Sequence, residues 1–144
     1  MTAKTYLRKI RAIEENINDG LEELAQLDAL RTKVTASFGG EAVASSKDPD
    51  KLTNITCKII RLKIDINKHV DKYVDIKREA AELLAQVENT VHRKILHSRY
   101  VLDKTWEQIA DEIGYTYQWT CHLHGVALLE FERIMQKNGI VDRN

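Results

Sequence analysis

The amino-acid pattern predicts an all-α chain: a long antiparallel helical hairpin of coiled-coil character followed by a small helix-turn-helix. Three observations carry this. One proline, Pro49, and six glycines in 144 residues make helix breakers scarce. Apolar residues recur at steps of three and four over two stretches of roughly 36 residues each. The C-terminal third carries capping residues at the spacing that two short consecutive helices need.

The first long helix is expected over residues 3–38. Tyr6, Ile10, Ile13, Ile17, Leu21, Leu24, Leu27, Val34 and Phe38 fall on one face, with Thr2 as N-cap, Gly20 in mid-helix and Arg31 at a seam position. Residues 39–50, GGEAVASSKDPD, are small and polar and read as the bend of the hairpin. The second helix is expected from Lys51 to Val87, with a stripe of Leu52, Ile55, Ile59, Leu62, Ile66, Val70, Tyr73, Ala80, Leu84 and Val87. Each helix would be about 50 Å long. Ile60, Ile64, Val74, Ile76 and Leu83 lie off that seam, so a two-helix hairpin would leave them wet. They call for a further surface, either the C-terminal module or a second subunit. The expected division is 1–88 for the hairpin and 89–144 for the helix-turn-helix, with a short helix Val91–Val101 opening the second part behind an Asn89 or Thr90 cap. Tyr73 and Tyr100 are expected to be buried.

Charge narrows the function classes. The chain has 22 basic and 22 acidic residues, and each third balances when cut at 38 and 88. Nucleic-acid binders usually show a basic excess, which is missing here. Cys57 and Cys121 stand alone, without the spacing of a disulfide framework or a zinc finger. Cys121, His122 and His124, at steps of one and two, do not gather a metal site on one helix face. No apolar run approaches the roughly 20 residues of a membrane span, and no signal peptide is recognisable, so a cytoplasmic protein is expected. No nucleophile with a base and no phosphate-cradling glycine loop appears, so no enzyme and no cofactor are expected.

The most informative stretch runs from Thr105 to Thr116, TWEQIADEIGYT. Thr105 and Gln108 have the spacing of a capping box. Trp106, Ile109, Ala110 and Ile113 make one apolar face, with Trp106 expected at the helix crossing. Gly114 suits a left-handed helix end. Thr116 can cap the next helix at once, whose Thr120, Leu123, Ala127, Leu128 and Phe131 turn inward. Helix, tight turn and capped helix make a helix-turn-helix.

The run Arg99-Tyr100, Thr105 to Thr116, Leu123 and Ala127-Leu128 resembles region 4 of the sigma-70 family, the module that reads the −35 promoter element. The whole chain is similar to the ArpU-like, or RinA-like, late transcription regulators of phages and prophages in low-GC Gram-positive bacteria. The likeness rests on Thr2-Ala-Lys-Thr-Tyr-Leu, Val43-Ala-Ser-Ser, Lys58-Ile-Ile-Arg-Leu and Leu123-His124 before Ala127-Leu128, and covers essentially all 144 residues. It implies a DNA-binding transcription regulator, with double-stranded DNA and RNA polymerase as partners; a homo-oligomer, a dimer through the N-terminal helices, is expected because two readers on one duplex raise avidity. It also implies which residues after the turn meet DNA: Thr116, Tyr117, Gln118, Cys121 and His122; Lys104 and Thr105, at the start of the preceding helix, are expected beside them. Thr116 and the N–H groups of the helix start would hold a phosphate. Gln118 would pair with an adenine edge, and Tyr117 or His122 would donate to a base or phosphate. Arg93, Lys94 and Arg99 are the nearest further positive charges.

One feature departs from region 4. From Tyr117 to Phe131 there is no Lys or Arg, and from Thr105 to Glu132 there are five acids and no base. Protonation of His122 and His124 is expected to help at lower pH. Two alternatives follow: a small terminase-like DNA-packaging protein, which would form rings, and a protein-interaction module that has lost DNA binding.

Overall fold

The computed structural model describes residues 1–38 and 49–140, and among these every regular element is helical, with no strand. In order they are α1 (Ala3–Phe38), α2 (Pro49–Leu84), α3 (Thr90–Leu96), a π-helical turn (His97–Val101), α4 (Trp106–Ile113) and α5 (Tyr117–Lys137). The expected bounds of the first helix hold. Most of the expected loop lies outside the described residues, but Pro49 and Asp50 already belong to α2. Proline suits the first helical turn, where its missing N–H would have had no intrahelical acceptor. The helix expected over Val91–Val101 is instead α3 followed by the π turn, with the Asn89 side chain accepting from the N–H groups of Val91 and His92. No described helix is long and apolar enough to cross a membrane.

The chain packs as two compact units, which do not follow a cut at residue 88. One joins Met1–Ala12 to Tyr73–Asn144, and the other is Ile13–Lys72. In the first unit, Leu7 and Ile10 of α1, Ala80, Leu83 and Leu84 of α2, Leu96 of α3 and Ala127, Phe131 and Met135 of α5 share one core. Val87 and Ile140 close it. Tyr6 sets its ring 6.0 Å from that of Phe131 and donates its hydroxyl to Glu79 at 2.6 Å. The N–H of Ala3 donates to Glu132. Burying a side chain such as Phe131 or Leu7 contributes about 1.5–3 kcal/mol, and here elements from both ends of the chain supply the cover. Leu83, off the expected seam, is buried in this core, and Ile76 packs against it. Tyr73 and Tyr100, expected to be buried, are half-buried.

In the second unit, α1 and α2 residues meet in opposite order. Gly20 lies against Ile66; Glu23 and Leu27 neighbour Lys58, Arg61, Leu62 and Asp65; Arg31, Thr32, Thr35 and Ala36 neighbour Leu52 and Thr56. A Cβ on Gly20 would sit 2.9 Å from Ile66 Cγ1, so the mid-helix glycine allows the close approach. Among the described residues here, only Ile55, Ile59 and Ile66 are buried hydrophobics, while Ile13, Ile17, Leu24, Leu27, Leu52 and Leu62 are half-buried. Arg31, expected at the seam, is exposed and pairs with Asp28 at 3.2 Å, since its guanidinium stays in water. Ile60 and Ile64 remain exposed, as does Val74 in the other unit.

Candidate nucleic-acid interface

Local chemistry fixes α4 and α5. The Thr105 hydroxyl accepts from the Gln108 N–H at 3.2 Å, and the Gln108 side-chain oxygen accepts from the Thr105 N–H at 2.9 Å. Such a box satisfies two of the donors that a helix start leaves open. Gly114 ends α4 at φ 72°, where a side chain is disfavoured, and its N–H donates to Ala110. Two residues later the Thr116 hydroxyl accepts from the Trp119 N–H at 3.1 Å and opens α5. Thr120, fully buried, donates its own hydroxyl to the Thr116 carbonyl. Ile109 and Ala110 of α4 and Thr120 and Ala127 of α5 are buried, which leaves the opposite faces of both helices in solvent.

The seven expected site residues fall on two neighbouring starts, those of α4 and α5. Thr116, Tyr117, Gln118 and His122 are exposed at the first turns of α5, and Cys121 is half-buried one turn in. The Thr116 hydroxyl is engaged in its cap, so the N–H groups of Tyr117 and Gln118 are the open donors there. The neighbouring Cys121, with burial and Glu107 adding to it, holds the Tyr117 phenol above its usual value. Tyr117 is therefore a neutral hydrogen-bond donor. His122 stacks on the exposed Trp119 ring at 4.9 Å. Thr105 is exposed, and Lys104 is committed to Glu112 at 2.6 Å. The hydrogen bond from Lys104 holds the Glu112 carboxyl below its usual value.

His124 corrects an expectation. It is half-buried, its ring nitrogen is 2.8 Å from the Tyr100 hydroxyl, and it meets Trp106 edge-on at 4.5 Å. Burial, followed by the charges of Lys4, Arg99 and Arg8, pushes its pKa down to about 4. It stays neutral at mildly acidic pH and adds no charge to the surface. Trp106 of α4 packs against His124 of α5, half-buried between it and Arg99, whose guanidinium lies 4.6 Å over its ring and donates to the Lys104 carbonyl. Sequence reasoning placed Arg99 nearby but missed Lys4 and Arg8, which approach His124 and Tyr100 from α1. The available signal was the run Lys4, Arg8, Lys9 and Arg11 with no acid before Glu14. No protein-family model matches the chain, and neither the curated proteins nor the solved structures give a match.

Proposed function

We propose that the chain is a phage or prophage transcription regulator that reads promoter DNA with α4 and α5 acting as a helix-turn-helix. The observation that carries this reading is the pair of capped helices around the left-handed Gly114, with Tyr117, Gln118 and His122 exposed at the start of the second. A helix start set this way can enter a major groove about 12 Å wide and present its N–H groups to a phosphate. Gln118 reads an adenine edge, while Thr105 meets the backbone beside it. In this reading α1 and α2 form an antiparallel hairpin that brings two copies together, so that two weak readers share one duplex. RNA polymerase is the expected second partner.

The test is binding of the purified chain to a duplex from upstream of its own phage late genes, against a scrambled duplex, at about 50 mM and 200 mM salt. Preference for the promoter duplex supports the reading, and Gln118→Ala then costs about 1–3 kcal/mol of discrimination. No preference at low salt overturns it. A second reading, a protein-docking module, has its own observation. From Tyr117 to Phe131 α5 carries no Lys or Arg, yet exposes Trp119, Val126 and Leu129. It gains if neither duplex binds at either salt.

A further inference from the structure

We infer that Lys4 and Arg8 of α1, together with Arg99, form a phosphate-binding flank of the DNA interface and supply the cations that α5 lacks. The inference rests on the reading of α5 as a DNA-reading helix. The flank follows from helical steps of three and four. Ala3, Leu7 and Ile10 turn into the core, and Lys4, Arg8 and Arg11 follow each of them by one position, so the three cations share one side of α1. Arg11 pairs with Asp103 at 3.2 Å, which turns that side towards the loop before α4. Tyr6, bonded to Glu79, and Lys9 three positions on lie to the other side. Lys4 and Arg8 are exposed, and among the described residues neither forms an ion pair with a carboxylate.

This end of α1 is held against α5, since the Ala3 N–H donates to Glu132 and the Tyr6 ring meets Phe131. Arg99 lies beside it. Its guanidinium is fixed by the Trp106 ring and the Lys104 carbonyl, contacts that orient the group and leave its charge unneutralised. The charges of Lys4, Arg99 and Arg8 all act on His124, those of Arg8 and Arg99 act on Tyr100, and that of Arg99 reaches Tyr117 at the start of α5, where Glu107 opposes it. Around the bonded pair of Tyr100 and His124 the field is therefore positive, next to a helix that has no Lys or Arg as far as Phe131. A polyanion fits that field. Lys4 and Arg8 are separated by about 6 Å along α1, so both long side chains can meet phosphates of one strand while the α5 start enters the groove. Such contacts supply affinity and carry no sequence information. Backbone holding thus falls to α1 and Arg99, and base reading to Gln118.

The test compares full-length wild type with the double variant Lys4→Gln, Arg8→Gln on the late-promoter duplex and a scrambled one, at about 50 mM and 200 mM salt. The variant is expected to bind both duplexes more weakly by a common factor, and to keep whatever preference wild type shows. Its salt slope should be shallower by about two, so the affinity lost between the two salts shrinks by about tenfold. Helical circular dichroism should not change, because both side chains start exposed. The charge-keeping variant Lys4→Arg, Arg8→Lys is expected to bind as wild type does. So is Lys9→Gln, Lys137→Gln, which removes two exposed cations away from the flank. A Lys4, Arg8 double Gln variant with wild-type affinity and slope overturns the inference and leaves the promoter reading standing. So does a Lys9, Lys137 variant that loses as much, or a double Gln variant that loses the promoter preference and keeps its affinity for the scrambled duplex. Equal binding of both duplexes by wild type, with the shallower slope in the variant, would sink the promoter reading and keep the flank. A wild type that binds neither duplex overturns both.

Discussion

The two compact units are built from the same kind of sequence, amphipathic helix with apolar steps of three and four, yet they bury it differently. In the unit of Met1–Ala12 and Tyr73–Asn144, Leu7, Ile10, Leu96, Phe131 and Met135 are all but sealed from solvent. In Ile13–Lys72 the equivalent seam positions Ile17, Leu24, Leu27 and Leu62 are half open. The difference is the number of elements that cover each stripe. In the first, α1, α2, α3 and α5 converge on one core; in the second, among the described residues, α1 and α2 cover only each other. Periodicity alone therefore says which face turns inward, and not how completely it is covered.

The sharpest way to break this comparison is to empty both regions. Phe131→Ala is expected to cost about 3–5 kcal/mol, the range for a buried aromatic. Leu27→Ala, from a half-buried seam, is expected to cost clearly less in the same urea titration. Equal losses would mean that the helix pair is as well covered as the core. Acidification should act next, and on the first unit. The depressed His124 pKa means that the unfolded chain takes up this proton first. The contribution of neutral His124 is complete above the unfolded value near 6.5, falls as pH drops towards about 4, and is fully lost below that. Solvent access to the ring keeps the effect smaller than the Phe131 loss. Unfolding wild type and His124→Gln at pH 7 and pH 5 checks it, the variant losing less stability on acidification; identical losses would contradict the assignment. The smallest effects belong to the caps: Thr105→Ala and Thr116→Ala should each lower stability by about 1 kcal/mol. A loss well under half of that would mean that water replaces the cap.

Local chemistry was legible in the sequence. The Thr105–Gln108 box, the Gly114 stop and the Thr116 cap depend on residues within four positions, and each has the geometry that its spacing implied. The span of α1 was legible for the same reason. What was not legible depends on distant packing. The return of Met1–Ala12 to the core around Phe131 leaves no periodic mark, nor does the π turn at His97–Val101. His124 looked like a surface titrating group, because nothing local reveals that Tyr100 and Trp106 enclose it. Lys104, expected among the residues that meet DNA, donates to Glu112, eight residues on.

The central claim is that the start of α5 reads DNA although its own helix is without Lys or Arg as far as Phe131. The most direct measurement is the affinity of the full chain for its late-promoter duplex and for a scrambled one, in wild type and in the Tyr117→Ala, Gln118→Ala variant, at about 50 mM salt. The account predicts that wild type prefers the promoter duplex and that the variant binds both duplexes alike. A wild type that binds both equally, or a variant that keeps the preference, would contradict it.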